Sequence, residues 1–236
     1  MKPPARKSAV PAAKSPPDSR RTILIVDDHP FMRAGVAQLL NRQPDLVVLA
    51  EAGDVAAAAR VIAARKPDLV LTDITLPGRS GLEFIKDLQV SHPGLPVLVV
   101  SMHDEMIYAE RALRAGARGY IMKEAGGENL LAAIRQIFAG QVYVSPRMAA
   151  RVLDGLSGHG QRRSHSPIGQ LTDREFEVFQ LVGAGKSTRE IAQQLGISPK
   201  TADVHRGRIK EKLGLTHATE LVRHAVRWVE AQGGQR

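Results

Sequence analysis

The chain has 236 residues, 43% of them hydrophobic, with no cysteine and a formal net charge of +9. That length holds one large domain or two small ones with real cores, and the lack of cysteine excludes disulfides and thiolate-bound metals. The longest apolar runs fall far short of a membrane span, and the basic N-terminus lacks the apolar stretch of a signal peptide, so a cytoplasmic protein is expected.

Charge is distributed unevenly. Residues 1–21 carry six Lys/Arg against one acid, residues 22–145 carry 12 against 14, and residues 146–236 carry 15 against nine. A slightly acidic middle joined to a basic end indicates an anion-binding module near the C-terminus. The first segment, "MKPPARKSAVPAAKSPPDSRR", is rich in Pro, Ala and charge without an apolar period, and reads as a solvated, disordered tail over 1–21.

From Thr22 the pattern changes. Strand-like runs occur at 22–26, 46–50, 69–72, 96–101 and 119–122. Between them lie amphipathic stretches at Phe31–Arg42, Val55–Arg65, Leu82–Ser91, Met106–Ala115 and Glu128–Ala139, the third opened by an expected capping box of Ser80 and Glu83. Five strands alternating with five helices predict an α/β domain over 22–144, a doubly wound five-stranded parallel sheet. In such sheets function gathers at the carboxyl ends of the strands. Asp27 and Asp28 follow the first strand, Asp73 the third and Lys123 the fifth, while Ser101 ends the fourth.

Three converging carboxylates repel one another unless a cation sits among them, and Mg²⁺ suits carboxylate, carbonyl and water ligands. A cation beside an accessible Asp favours phosphoryl transfer to that Asp. The hydroxyl of Ser101 and the ammonium of Lys123 suit phosphoryl oxygens. Taken singly, strand-end acids often cap helices and a lone lysine is usually solvated; five such residues at the ends of one sheet are hard to explain that way.

The stretches "ILIVDDHPFMRAGV", "DLVLTDITLPGRSGLE", "VLVVSMHDE" and "ALRAGARGYIMKE" resemble a response-regulator receiver domain, of flavodoxin-like fold, throughout 22–142. The resemblance implies that Asp73 is the phosphoacceptor. It implies Mg²⁺ held by Asp28, Asp73 and the backbone carbonyl of Thr75, with Asp27 acting through water. Ser101 and Lys123 would bind the phosphoryl group, and Tyr120 fills the aromatic switch position. Glu124 stands where many receivers carry proline after the lysine. A phosphatase of the haloacid-dehalogenase kind also uses an Asp nucleophile, but places a second Asp two residues on, where this chain has Thr75.

After a linker at 145–168, with a short helix expected at Met148–Leu156, the chain reads as helical over 169–236. Thr172 with Glu175 and Ser187 with Glu190 form capping boxes, and "GAG" at 183–185 separates the helices. Ser198 and Pro199 open the next helix and Gly214 stops it. Helices at Thr188–Leu195 and Pro199–Leu213 across the "LGIS" turn predict a helix-turn-helix in a small all-α domain. On the second helix Ala202, Ile209 and Leu213 share the packing face, with His205 at its border. Lys200, Asp203, Val204, Gly207 and Arg208 face the other way, with Thr201 beside them and Glu211 further along. Arg206, Lys210 and Lys212 join Lys200 and Arg208 as candidates for phosphate contact.

The "SPKTADVH" and "KLGL" stretches resemble a LuxR-type DNA-binding domain, and the two domains together resemble the NarL/FixJ group of response regulators. The resemblance implies a transcription factor phosphorylated by a sensor histidine kinase, with dimerisation and promoter DNA binding controlled by that event. The neighbouring possibility is an atypical regulator that binds DNA without phosphorylation. In relatives Asp203, Val204 and Gly207 fall at base-reading positions. The last helix, Ala218–Val229, carries the stripe Leu221, Ala225 and Val229, which serves either as a dimer face or as intradomain core.

Overall fold

The computed structural model describes residues 20–156 and 167–233. Most of the N-terminal tail and the Gly/Ser/Arg-rich part of the linker lie outside the described residues.

Five strands, β1 (Arg21–Val26), β2 (Leu46–Ala52), β3 (Leu69–Thr72), β4 (Val97–Ser101) and β5 (Gly119–Met122), form one parallel sheet in the order β2-β1-β3-β4-β5. The expected doubly wound sheet is present. β2 runs two residues past its apolar run because Glu51 and Ala52 still pair with Ile25 and Val26. Helices α1 (Pro30–Asn41), α2 (Val55–Arg65), α3 (Gly81–Ser91), α4 (Glu105–Ala115) and α5 (Gly127–Phe138) connect the strands.

Parallel strands covered on both faces read as continuous apolar runs, and alternate residues serve opposite layers. Ile23, Ile25, Leu69 and Leu71 pack with α1 and α5 through Leu40, Ile134 and their neighbours. Leu24, Val26 and Val70 pack with α2, α3 and α4 through Ile62, Leu82, Phe84 and Tyr108. From β1 the chain crosses to β2 on one side and then returns to β3, β4 and β5 on the other. The order therefore reverses between β1 and β3, the strands that Asp27 and Asp73 directly follow.

The C-terminal part is helical: α6 (Pro146–Leu156), α7 (Asp173–Gly183), α8 (Thr188–Leu195), α9 (Pro199–Lys212) and α10 (Ala218–Gly233). α6 starts two residues before the expected helix, with Pro146 in its first turn and the Ser145 hydroxyl accepting from the Met148 amide at 3.2 Å. Both C-terminal capping boxes form, at Thr172/Glu175 and Ser187/Glu190. Caps of this kind contribute about 1 kcal/mol each. α8 ends at Gly196 (φ 62°), and Ser198 caps α9, whose Ala202 and Ile209 are fully buried. Leu221 and Ala225 of α10 are also fully buried, and a Cβ on Gly183 would sit 2.6 Å from Val229 Cγ2, so the stripe is intradomain core.

One local expectation fails. Ser80 caps α3, accepting from the Leu82 amide at 3.2 Å, but makes no capping box with Glu83. Its hydroxyl instead donates to Glu177 Oε1 of α7 at 2.6 Å, and Glu83 lies 3.8 Å from Arg79.

Candidate functional site

The registers Val26↔Thr72, Thr72↔Val99 and Ser101↔Met122 bring the strand ends together. Ligand atoms of Asp27, Asp28, His29 and Asp73 all lie within 4.8 Å of one another. Lys123 Nζ reaches Asp27 Oδ2 at 2.6 Å and Asp73 Oδ2 at 2.7 Å. Burial disfavours the ammonium, but the hydrogen bonds to Asp27 and Asp73 outweigh it and hold the Lys123 pKa above the ordinary value. Asp73 Oδ1 accepts from the Ile74 amide at 2.6 Å, so both carboxylate oxygens are oriented.

The loop after β3 fits this geometry only with glycine at two positions. Gly78 takes φ 76°, and a Cβ on Gly81 would meet Ile74 Cα at 2.8 Å and collide with the Asp73 carbonyl oxygen. Gly81 also donates its amide to Ile74 O at 2.7 Å. Gly81→Ala should therefore displace the Asp73 loop and destabilise the domain by about 2–3 kcal/mol. A thermal melt unchanged by this substitution would refute that reading of the turn.

The cluster suits a hard divalent cation. Asp28 Oδ1 is buried and lacks a hydrogen bond of acceptable geometry, although His29 Nδ1 lies 2.7 Å away. Three converging acids, one of them with an oxygen whose close neighbour is the imidazole of His29, are the donor set that Mg²⁺ takes. Asp28 does not cap α1: the N-cap is His29, and its side chain makes no capping bond.

Ser101 is fully buried, and its Oγ accepts from the His103 amide at 3.3 Å. Tyr120 is fully buried, its hydroxyl donates to the His103 carbonyl at 2.8 Å, and burial raises its pKa well above the ordinary tyrosine value. His29 and His103 were not singled out in the sequence. The adjacency of His29 to Asp27 and Asp28 was a usable signal, whereas nothing in "SMHDE" distinguishes His103 from a loop histidine.

On α9 Lys200, Thr201, Asp203, Val204, Gly207 and Arg208 are exposed, Val204 at 46%. Thr188 of α8 donates to Asp203 Oδ1 at 3.2 Å and accepts from Arg206 at 2.5 Å, fixing the two helices of the motif to each other. Lys212 turns back to the domain, 2.6 Å from Glu175 Oε2, and half-buried Lys210 points toward Thr216 O at 3.4 Å. Lys200 and Arg208 therefore keep the most open approach to a polyanion. His205 is half-buried with Nδ1 unpartnered, and burial lowers its pKa.

The two domains meet along α3, α4 and α7. Arg111 of α4 donates to Leu171 O at 3.0 Å, Ile168 O at 3.1 Å and Asp173 Oδ1 at 3.1 Å, and lies 4.2 Å over the Phe176 ring. Lys86 holds the other oxygen of Asp173 at 2.7 Å. Tyr108 donates to Gln180 Oε1, and Ser80 to Glu177, whose pKa burial pushes up. The turn of the helix-turn-helix touches the loop after β3, where a Cβ on Gly196 would lie 2.6 Å from Gly78 Cα. Arg111→Ala would leave two carbonyls and half of Asp173 without their donor. It should loosen docking by about 2–3 kcal/mol, roughly 30- to 150-fold. Amide exchange in α7 of the full chain reads this directly, and rates equal to wild type would refute the clamp.

Comparison with known proteins decides the family. The family model described as response regulator receiver domain matches residues 23–135, and that of bacterial regulatory proteins, luxR family, matches 169–225. The oxygen regulatory protein NreC of Staphylococcus carnosus is 34% identical over 209 residues, covering 87% of this chain and 96% of NreC. The chain belongs to the NarL/FixJ group of response regulators. The regulator is also 37% identical over 205 residues to the response regulator GacA of Pseudomonas aeruginosa, covering 87% and 95% of the two chains. Among solved structures, a LuxR-family two-component response regulator from Aurantimonas sp. SI85-9A1 matches with a TM-score of 0.55 at 35% identity, over 59% of the regulator and 99% of that chain. RcsB from Salmonella enterica serovar Typhimurium, bound to promoter rprA in the presence of a phosphomimetic, shares the fold at a TM-score of 0.61 and 23% identity, over 88% and 98% of the chains. The regulator is thus a receiver joined to a LuxR-type DNA-binding domain, and among its described residues no helix is long and apolar enough to cross a membrane.

Proposed function

We propose that Asp73 is the phosphoacceptor of this regulator, and that its phosphorylation by a sensor histidine kinase controls pairing of the chain on promoter DNA. The observation that carries the reading is the placement of the Asp73 carboxylate at the tip of β3, oriented by Ile74 N–H at 2.6 Å and Lys123 Nζ at 2.7 Å beside two further acids. The P–N bond of the kinase phosphohistidine breaks and a P–O bond to Asp73 forms, returning the electron pair to the imidazole. Ser101 and Lys123 then bind the phosphoryl oxygens. Asp28, Asp73 and the Thr75 carbonyl would hold Mg²⁺, with Asp27 contributing through water. When bound, the ion neutralises charge on the incoming oxygens. Attack of water on the same acyl phosphate resets the site, a slow self-dephosphorylation.

The division of labour runs along the chain: a receiver at 22–144, a linker at 145–168 and a DNA-binding domain at 169–236. The docked domains leave the outward face of α9 exposed. Control therefore acts by positioning and pairing two recognition helices as a homodimer, rather than by covering one. A cytoplasmic location follows from this pairing of kinase and DNA. Incubation with radiolabelled acetyl phosphate and Mg²⁺ tests the reading. Wild type should be labelled, Asp73→Asn should not, and sedimentation with a phosphoryl mimic should show the larger species. Equal labelling of both proteins would overturn the assignment.

A further inference from the structure

We propose that His103 is a positioning residue that transmits the state of the acceptor pocket to the contact between the two domains, an inference that rests on Asp73 being the phosphoacceptor. It follows from the convergence of four contacts on one residue. The His103 amide donates to Ser101 Oγ at 3.3 Å, and its carbonyl accepts from the Tyr120 hydroxyl at 2.8 Å. Its Nε2 lies 2.8 Å from Thr75 Oγ1 in the loop after Asp73. Its ring lies against Tyr108, centroid to centroid 4.7 Å at 36°.

Tyr108 stands on the far side of this arrangement. It is 2% exposed, donates to Gln180 and meets the Phe176 ring edge-on at 5.5 Å. The path from pocket to DNA-binding domain is thus Ser101 and Thr75, then His103, then Tyr108, then α7. Interior packing transmits small displacements because there is little free volume to absorb them. A phosphoryl oxygen that draws Ser101 Oγ toward Asp73 lengthens the longest of the three hydrogen bonds, and the remaining ties move the imidazole relative to Tyr108. Coupling of this kind requires an element whose arrangement both sites bias. The docked α4/α7 contact provides one.

The test uses the full chain with and without beryllofluoride and Mg²⁺, reading amide exchange in α7, with acetyl-phosphate labelling in parallel. In wild type the mimic should change α7 exchange by at least about fivefold, the low end of ordinary coupling between sites. His103→Phe keeps a ring on Tyr108 and loses the bond to Thr75. It should still be labelled, while its α7 exchange becomes the same with and without the mimic. His103→Gln restores a hydrogen-bonding group near the Nε2 position and should recover part of the response, which a merely structural residue would not predict. A His103→Phe protein that responds as wild type does overturns the relay. A wild type that is labelled on Asp73 but shows no exchange response overturns the coupling and leaves the phosphoacceptor standing. Absence of labelling overturns the reading beneath both.

Discussion

Asp28→Ala should lower phosphoryl incorporation from acetyl phosphate by about 10³-fold, the order expected when a metal's stabilisation of several kcal/mol is withdrawn. The fold should hold, because Asp28 caps no helix and its Oδ1 pairs only with the exposed His29 imidazole. Removing a like charge from beside Asp27 and Asp73 should, if anything, stabilise the metal-free protein. Chelator treatment of wild type should reproduce the loss, and returned Mg²⁺ should rescue wild type but not the variant. Normal labelling of Asp28→Ala in chelator-treated buffer would mean that these acids do something else.

DNA affinity should fall steeply with salt. Two recognition helices offering Lys200 and Arg208 supply about four phosphate contacts, for which affinity drops roughly 10²-fold between 50 and 200 mM salt. Lys200→Ala and Arg208→Ala should weaken binding whatever the sequence and flatten the salt slope by about one unit per lost contact. Val204→Ala should behave differently, relaxing preference at one base pair if its methyls meet a thymine methyl. Lys212→Ala should act mainly on stability, since its ammonium is committed to Glu175 at 2.6 Å. The fragment 166–236, once paired as an enforced dimer, should bind without phosphorylation. A fragment inert at low salt, even as an enforced dimer, would assign the contacts to the receiver or the basic tail.

The alternation of strands and helices was legible because a covered parallel sheet demands uninterrupted apolar runs. "TILIV" and "LVLT" cannot serve a half-exposed strand. The acids were legible because they sit directly beside those runs. The caps at Thr172 and Ser187 needed only residues three apart. At Ser80 the spacing of three is present without the box, and the tie of its hydroxyl to Glu177, 97 residues away, leaves no local sign. The same holds for the junction: Arg111 and Asp173 are 62 residues apart, and each alone looks like a solvated charge on a helix face. The pairing of Lys212 with Glu175, 37 residues away, leaves no local sign either. Local period and punctuation report an element's own needs, whereas surface complementarity between two domains leaves no periodic trace in either.

The apolar layer beneath α2, α3 and α4 does not stop at the receiver. It runs through Tyr108 into Phe176, Phe179 and Val182 without interruption. Two domains that share one layer of buried side chains should lose their structure together. Heating the docked chain should therefore give a single calorimetric transition, whose van't Hoff and calorimetric enthalpies agree. Any ligand or substitution that parts the domains should split it into two, so the shape of the melt reports the signalling state without DNA, kinase or label.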